Sequence, residues 1–351
     1  MNILFDARWI NNSSPDGITR YSRELIKELS KRKKLTLLVS NKDQLIGLQK
    51  QEYILTNKPT STKELGQARR LNKYKFDIVF TPHFIFGAKG RKFKLVRTVH
   101  DLIPFNQKSK GAKLAWKLFY SNIYFLKNLL NDCEGVVTVS QTIKKKLSDL
   151  TPNNIAVVYN APASLPTKSA KVKKEILYIG RYEDYKNVKV LVKAINELDG
   201  VALNLAGNCS AEYKNELLSL AKDKQRIRFL GSISDEEYAR QLGESMALVQ
   251  PSMEEGFGLP VIEAMSVGCP VICSDIDVFR EVGGEAAIYF NPDSSTDLAD
   301  KIRILEDNKI REQAVKSSLA NAKRFSWINS ASELKSFLYE VQRGGKNKQN
   351  N

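Results

Sequence analysis

Residues 254–265, EEGFGLPVIEAM, combine glycines and carboxylates in a pattern that suits phosphate and sugar chemistry. Apolar runs that read as strands, MALVQPS and PVICSD, flank this stretch, which predicts the turn and helix of a βαβ unit. Pro260 fits the first helical position, and Gly256 and Gly258 allow the turn to expose backbone N–H groups. Because a helix N-terminus also carries a partial positive charge, the turn is predicted to bind an anion, typically a phosphate.

Two carboxylates accompany the glycine turn. Glu255 lies on the turn itself, and Glu263 is predicted in the first turn of the helix. A carboxylate beside a phosphate is repulsive unless it holds something else, so we interpret the pair as acceptors for sugar or ribose hydroxyls. The pattern therefore predicts a sugar nucleotide as the ligand and gives Glu254 no function. The same spacing also suits a purely structural arrangement, in which Glu263 offsets the helix dipole and Glu255 is an exposed loop residue.

A second charged cluster follows the strand-like run ILYIG. Gly180 ends this run, Arg181 comes next, and Lys186 follows five residues later. Both cations can turn from a strand-end loop toward one point, as the diphosphate leaving group of a sugar nucleotide requires. Basic residues of a Lys-rich chain commonly lie on a solvated surface, but the position of these two at a strand end favours the diphosphate.

Six apolar runs in each half of the chain predict the strands that position these residues. They are NILFDA, TLLVS, DIVFTPH, LVRTVHD, GVVTVS and IAVVYN, then ILYIG, ALNLAG, IRFLG, MALVQPS, PVICSD and AAIYF. Continuous apolar strands separated by helical stretches are typical of parallel sheets covered on both faces. The chain is therefore predicted to form two doubly wound α/β domains, joined by a Pro-, Ser- and Lys-rich linker at residues 160–174.

The carboxyl ends of these strands carry small or polar residues. Ligands of doubly wound sheets bind beyond such ends, so we expect function there, in a deep cleft between two facing domains. We interpret His83 as structural. The residues at strand ends are Arg8, His83, His100 with Asp101, Ser140 and Asn160 in the first half, and Gly180, Arg181, Gly207 and Gly231 in the second.

Composition excludes several classes of protein. A chain of 351 residues with 42% hydrophobic and 27% charged residues is long and apolar enough for two globular domains. Its four cysteines lack the pairing of metal ligands and it has two histidines, so we expect no metal site. No apolar run approaches the roughly 20 residues that span a bilayer, and no signal segment opens the chain, so we expect it in the cytoplasm.

The positive charge is concentrated in the first half of the chain. Residues 1–170 contain 30 Lys or Arg against 12 Asp or Glu, whereas residues 171–351 contain 25 against 27. Basic and aromatic residues alternate at helical spacing within residues 108–130, which predicts either a helix lying on anionic lipid or an ordinary helix packed into its domain. A nucleic-acid partner is not expected, because no binding module is present. The candidate membrane-interface residues are Lys113, Trp116, Lys117, Tyr120 and Lys127.

These motifs, in this order, resemble the retaining glycosyltransferases of family 4. EGFGLPVIE, IGRYEDYKN, LAGN, FLGSISDEEY and RFSW carry the resemblance in the second half, and DGITRYSREL and TVHDLIPF carry it in the first. The resemblance spans nearly the whole chain and is nearest to the branch that includes bacterial mannosyltransferases of cell-surface polysaccharide synthesis. It implies the GT-B fold, with two Rossmann-like domains whose parallel sheets face a deep cleft. The implied domains are an acceptor-binding domain at 1–165, a nucleotide-sugar-binding domain at 166–325, a helix at 326–343 that packs back toward the first domain, and a disordered tail at 344–351.

The resemblance also implies roles for individual residues. Arg181 and Lys186 would neutralise the donor diphosphate, and Glu255 and His100 would lie beside the transferred sugar, so these four are the predicted catalytic residues. Glu263 would hold the ribose. The loop that closes over the phosphates has one glycine here, where the family usually has several. The other predicted donor-binding residues are Gly17 in that loop, Gly180, Gly207, Gly256, Phe257, Gly258 and Leu259.

The implied reaction moves a hexosyl group, predicted to be mannose, from a GDP- or UDP-sugar to a lipid-linked or glycan acceptor. Two cations and a helix N-terminus would replace Mg²⁺, so no metal and no cofactor are expected. Glu255 could serve as a nucleophile or as a charge stabiliser. The enzyme is predicted to lie on the inner face of the plasma membrane. The alternatives are a non-catalytic partner subunit that binds sugar nucleotides and a sugar-nucleotide epimerase of the same architecture.

Overall fold

The fold is that of a computed structural model, which describes residues 1–13, 16–31, 35–106, 123–166 and 171–344. The chain divides into two compact units. One unit comprises Met1–Asn160 together with Ser326–Asn351, and the other comprises Ala161–Phe325. The tail predicted at residues 344–351 lies outside the described residues, apart from Gly344.

A seven-stranded parallel sheet forms the centre of the first unit, in the order β3-β2-β1-β4-β5-β6-β7. β1 and β4 are buried at every position, because helices and loops cover both faces of the sheet there. The strands are β1 Ile3–Asp6, β2 Thr36–Val39, β3 Glu52–Leu55, β4 Ile78–Thr81, β5 Lys94–Val99, β6 Gly135–Thr138 and β7 Ile155–Val157.

Six described helices belong to the first unit. The last of them comes from the end of the chain and packs against α1, so both chain ends contribute to this unit. The helices are α1 Gly17–Ser30, α2 Gln67–Leu71, α3 Ile103–Asn106, α4 Ile123–Asn131, α5 Gln141–Ser148 and the terminal helix α13 Trp327–Gly344.

A six-stranded parallel sheet forms the centre of the second unit, in the order β10-β9-β8-β11-β12-β13. The strands are β8 Glu175–Ile179, β9 Ala202–Ala206, β10 Ile227–Gly231, β11 Ala247–Gln250, β12 Val271–Ser274 and β13 Ile288–Phe290. The helices described in this unit are α6 Val188–Ile195, α7 Ala211–Leu220, α8 Asp235–Glu244, α9 Leu259–Ser266, α10 Asp277–Gly283, α11 Ser295–Arg303 and α12 Asn308–Ala322.

The prediction of two parallel, Rossmann-like α/β sheets is confirmed. All twelve apolar runs coincide with strands, because each strand is buried enough to need a continuous apolar segment. The thirteenth strand, β3, was missed. It is the edge strand of its sheet, and its apolar run, YIL, is only three residues long and mostly exposed.

Candidate functional site

An ion pair at the carboxyl edge of the second sheet brings together two of the predicted site residues. Lys186 Nζ lies 2.5 Å from Glu255 Oε1, although the two residues are 69 positions apart in the chain. Their side chains are 13% and 14% exposed, so the pair is shielded but reachable. The loops that carry them are joined by a hydrogen bond of 2.8 Å from Met253 N to Tyr185 O. The structure therefore places the predicted diphosphate cation beside the predicted sugar carboxylate.

Ser252 contacts the same carboxylate and was not identified from the sequence. Its hydroxyl donates to Glu255 Oε1 at 3.0 Å, and the serine is fully buried just beyond β11. Oε1 therefore accepts two hydrogen bonds, while Glu255 Oε2 makes none with any described residue. One carboxylate oxygen is held in place and the other remains available to a ligand. The S-x-x-E spacing of Ser252 and Glu255 could have identified this pair.

Arg181 shares a loop with Lys186 but extends into solvent. Its side chain is 72% exposed, with Nε 3.3 Å from a Glu183 carboxylate oxygen and an Nη 2.9 Å from the Tyr185 hydroxyl. The Tyr178 hydroxyl donates to the backbone carbonyl of Arg181 and so fixes the start of this loop. Arg181 can therefore meet a dissolved anion with little desolvation cost.

The predicted glycines at the strand ends allow close approach of backbone segments. Gly207 has φ +120°, and a Cβ on it would lie 2.1 Å from the carbonyl oxygen of Gly180. Gly207 N also donates to the carbonyl of Gly231 at 2.8 Å, so the ends of β8, β9 and β10 pack backbone against backbone. A side chain at Gly207 would therefore clash with the backbone of the neighbouring strand end.

The glycine turn before α9 also requires a glycine. Gly258 precedes the helix with φ +89°, and a Cβ there would lie 2.7 Å from a ring carbon of Phe279. Phe257 is buried and packs edge-on against Phe325, with ring centroids 5.6 Å apart. Its side chain belongs to the core, so Phe257 can offer a ligand only its backbone.

Two details of the predicted turn were wrong. The helix begins at Leu259, because Gly258 is in the left-handed region, so Pro260 is its second residue rather than its first. Glu263 is then the fifth helical residue and lies beyond the first turn. It is buried, so it is not a surface carboxylate that offsets the helix dipole.

Glu254, to which the sequence assigned no function, has an unusual environment. Its Oε2 is buried and has no hydrogen-bond partner among the described residues. A buried carboxylate oxygen without a donor is costly, so a ligand hydroxyl could satisfy it. It lies next to Glu255 in the chain, on the same turn.

His100 is partly buried in the first unit, where its Nε2 lies 2.9 Å from the carbonyl oxygen of Pro82. Its ring packs edge-on against Tyr21, with centroids 4.9 Å apart. Burial lowers the pKa of His100 to about 4, so the imidazole is neutral near pH 7. His83 stacks on Trp9 at 3.8 Å between centroids, and burial, with the His100 and Arg97 charges, lowers its pKa to about 3.

Other strand-end residues of the first unit are committed to structural contacts. Arg8 makes ion pairs with Asp6 at 2.7 Å and with Glu64 at 2.6 Å, and all three side chains are buried. Ser140 caps α5 by accepting a hydrogen bond from Ile143 N at 3.2 Å. These two residues stabilise the fold, and neither offers an available group to a ligand.

Gly17 has a different position from the one predicted. It is the first residue of α1, which Asp16 caps by accepting a hydrogen bond from Thr19 N at 2.8 Å, so Gly17 does not lie in a loop. A strong N-cap at Asp16 starts the helix directly after it.

Most of the predicted membrane-interface residues lie outside the described residues, namely Lys113, Trp116, Lys117 and Tyr120. Lys127 is described and lies exposed on α4. Among the helices that the structure describes, none combines the length and apolarity needed to cross a bilayer. Over the same residues, no group of His, Cys, Asp or Glu side chains is arranged to hold a metal ion.

Two family models match successive parts of the chain. The model described as Glycosyltransferase Family 4 matches residues 15–161. The model described as Glycosyl transferases group 1 matches residues 165–321, including both Lys186 and Glu255. Together the two matches account for most of both units.

Relatives of similar length align over most of the chain. The O-antigen chain mannosyltransferase RfbU of Salmonella typhimurium is 28% identical over 84% of this chain and 88% of its own length. The O-antigen chain mannosyltransferase B of Escherichia coli is 27% identical over 90% of this chain and 94% of its own.

Solved structures of the same fold cover nearly the whole chain. The sucrose-phosphate synthase of Thermosynechococcus elongatus has a TM-score of 0.76 at 17% identity, covering 98% of this chain and 99% of the other. Anabaena HepE, solved with UDP and glucose, has a TM-score of 0.74 at 18% identity, covering 97% and 99%. At such low identities the likeness shows the fold alone. The chain belongs to the family 4 glycosyltransferases and has the GT-B fold.

Proposed function

We propose that this enzyme transfers mannose, with retention of configuration, from a nucleoside-diphosphate sugar to a lipid-linked or glycan acceptor in cell-surface polysaccharide synthesis. The names of the relatives support mannose and the polysaccharide. The observation that carries the proposal is the contact of Lys186 with Glu255 at the edge of the second sheet. The second unit would bind the donor, and the first unit would bind the acceptor.

Lys186 and Arg181 would neutralise the diphosphate as the bond to the anomeric carbon breaks and its electron pair leaves with the phosphate. The backbone amides of Gly256, Phe257 and Gly258 would add to this positive field. A diphosphate that approaches Lys186 competes with Glu255 for its ammonium group, because the two are paired in the free protein. Donor binding would therefore free Glu255 Oε1 in part. No metal is needed if these groups supply the charge.

Glu255 would stabilise positive charge on the transferred sugar through its available Oε2. We favour this role over that of a nucleophile, because a carboxylate already bonded to a cation and a hydroxyl is a weak nucleophile. Glu263 would hold the ribose. Neutral His100 would contribute a hydrogen bond to the sugar from the first unit.

The test is a transfer assay on single variants. Lys186→Ala and Glu255→Gln are each expected to reduce kcat about 10²- to 10³-fold, the loss that follows removal of one charge-stabilising group. Lys189→Ala is the matched control, because Lys189 is a half-exposed lysine on α6 whose ion-pair partner is Glu216, at 2.5 Å, rather than Glu255. Turnover by Lys186→Ala equal to that of Lys189→Ala would contradict the proposal.

Three further measurements address the finer claims. Full activity in EDTA would support metal independence, and the anomeric configuration of the product, read by NMR, would test retention. A thermal-shift comparison of GDP, UDP and their sugars would identify the donor, because the ligand that binds raises the unfolding temperature with the logarithm of its excess over Kd. Failure of GDP-mannose and UDP-sugars alike to stabilise the protein would count against a nucleotide-sugar donor.

We also propose that the first unit holds the enzyme on anionic membranes. The excess of 30 basic over 12 acidic residues in residues 1–170 supports this, since each cation near an anionic surface adds about 1 kcal/mol of attraction. Flotation with anionic vesicles is expected to carry the protein upward, whereas neutral vesicles leave it behind. Equal flotation with anionic and neutral vesicles would contradict the proposed binding to anionic membranes.

A further inference from the structure

The connection from β4 to β5, residues 82–93, has neither a helix nor a strand. Parallel strands are usually joined by a helix that covers the sheet. Here residues 82–93 cross between the two strands without regular secondary structure, and we call this segment the strap. Arg97 on β5 holds the strap in place. Its two terminal guanidinium nitrogens donate to the carbonyls of Phe84 at 2.7 Å and Phe86 at 3.1 Å. The strap covers less of the sheet than a helix would.

An open cavity of about 710 Å³ lies beside this strap, within the first unit. Ligand pockets are commonly about 300–1,000 Å³, so the cavity is large enough for a small molecule. Leu65 lies in its wall with 81% of its surface exposed, an unusual position for a leucine. Most of the accessible wall is carbon, contributed among the described residues by Leu65, Ile85, Phe86, Ala88, Phe125 and Leu129.

A buried positive charge lies in the same wall. Arg97 is completely buried. Among the described residues its Nε has no hydrogen-bond partner and no carboxylate lies within ion-pair distance of it, although Asp132 and Glu134 attract its charge from further away. Burial lowers the pKa of Arg97 to about 10, so the guanidinium stays charged near pH 7. A buried charge without a counter-ion is costly, and a bound anion would reduce that cost.

The acidic residues of the wall make their ion pairs with other arginines, not with Arg97. Glu64 lies 2.6 Å from Arg8, and Asp132 lies 2.6 Å from Arg91. Lys89, which is exposed, adds a further positive charge to the lining. The described lining therefore combines an apolar wall with two basic and two acidic residues, and only the two acidic ones are held in ion pairs.

We propose that this cavity binds a single-chain anionic amphiphile, with the hydrocarbon against the apolar wall and the anionic group in the field of Arg97 and Lys89. The apolar lining alone would accept any hydrocarbon. The buried charge selects an anion, because electrostatic attraction is strong where water is excluded. This site goes beyond the proposed transferase function and does not depend on it, since no residue of the second unit takes part.

Calorimetric titration with dodecyl phosphate, dodecanol and inorganic phosphate tests the site, with each probe below its aggregation concentration. We expect dodecyl phosphate to bind with a one-to-one stoichiometry, at least about tenfold more tightly than either of the other two probes. Equal binding of dodecyl phosphate and dodecanol would overturn the role of Arg97. Binding of many molecules without saturation would overturn the site.

Leu65→Glu places a negative charge in the wall at an exposed position, where folding should tolerate it. We expect it to weaken dodecyl phosphate binding at least about tenfold by repulsion of like charges. Leu55→Glu is the matched control, because Leu55 is 57% exposed on the edge strand β3 of the same sheet and does not line the cavity. Equal affinities of the two variants would contradict the proposal.

Arg97→Met removes the buried charge at a similar length. It is expected to reduce the preference for dodecyl phosphate over dodecanol to near unity, while dodecanol binding persists. If this variant does not fold, the comparison of dodecyl phosphate affinity between Leu65→Glu and Leu55→Glu still tests the proposed site. Donor binding measured on the same variants should match the wild type, so failure of this site and failure of the proposed transferase function remain distinguishable.

Discussion

The two sheets differ in the residues that lie at the carboxyl ends of their strands. In the first unit, the strand-end residues Arg8 and Ser140 are held by internal contacts, as in the pairing of Arg8 with Asp6 and Glu64. In the second unit, glycines lie at the ends of β8, β9 and β10. The charged groups nearby include exposed Arg181, the reachable pair of Lys186 with Glu255, and Glu254, whose buried Oε2 has no hydrogen-bond partner among the described residues. The same position in the same topology therefore holds internal ion pairs in one unit and charged groups that solvent can reach in the other.

The difference shows which property of a strand end indicates function. A polar residue at the carboxyl edge is informative only when it retains a donor or acceptor that the fold has not satisfied. Glu255 retains Oε2, whereas the Arg8 guanidinium is paired with two carboxylates. Four predictions test this contrast, from the largest expected effect to the smallest.

Arg8→Met is expected to lower the free energy of unfolding of the first unit by about 3–5 kcal/mol, because it leaves two buried carboxylates without a cation. Tryptophan fluorescence during urea unfolding measures it, since Trp9 and Trp327 belong to the first unit and residues 161–325 contain no tryptophan. Lys27→Met is the control. It breaks an exposed pair with Glu24 and should cost less than about 1 kcal/mol. Similar losses in the free energy of unfolding for the two variants would mean that the pairing of Arg8 with Asp6 and Glu64 does not stabilise the first unit.

Gly207→Ala is expected to destabilise the second unit by about 3 kcal/mol, because its Cβ would meet the Gly180 carbonyl oxygen at 2.1 Å. Gly231→Ala is the matched comparison. Gly231 also has a positive φ, +67°, but nothing lies within 4 Å of a Cβ there, so only the backbone cost of about 1–2 kcal/mol applies. Hydrogen exchange of the second unit measures both. Equal costs would argue against backbone packing at these strand ends.

Ser252→Ala is expected to reduce kcat about 10- to 100-fold with little change in the KM of the donor, because Glu255 loses a hydrogen bond to its charged oxygen. Ser252→Thr keeps the hydroxyl and should recover most of the rate. A kcat of Ser252→Ala equal to that of the wild type would show that the orientation of Glu255 does not depend on this serine.

His83→Phe is expected to weaken the pH dependence of stability while keeping the stack on Trp9. The pKa of His83 is about 3 in the folded protein and near 6.5 when unfolded, so between these values the unfolded chain binds the proton. The free energy of unfolding therefore falls as the pH falls below 6.5, by up to about 1.4 kcal/mol per pH unit for one histidine. Urea unfolding at pH 7, 6 and 5 measures the slope. An unchanged slope in the variant would mean that His83 titrates normally in the folded protein.

Local sequence patterns were sufficient to predict the strands and helices, but not to predict which side chains contact each other. The run MALVQPS predicted β11 because a strand buried on both faces must be apolar along its length. Helix α9 begins at Leu259, one residue before the predicted Pro260, because the left-handed conformation of Gly258 sets where the helix starts. Edge strand β3 was missed because its apolar run, YIL, is short and lies mostly exposed at the sheet edge.

The sequence by itself determined the two parallel sheets, the glycine turn and the family, because burial and backbone conformation leave short-range patterns in the residues. Only the tertiary structure decided which charges meet. Lys186 and Glu255, 69 residues apart in the chain, come together because their loops lie at one sheet edge. Arg8 offers no group to a ligand, because Glu64 binds it from another loop. Pairing of charges depends on distance in space, which no local pattern encodes.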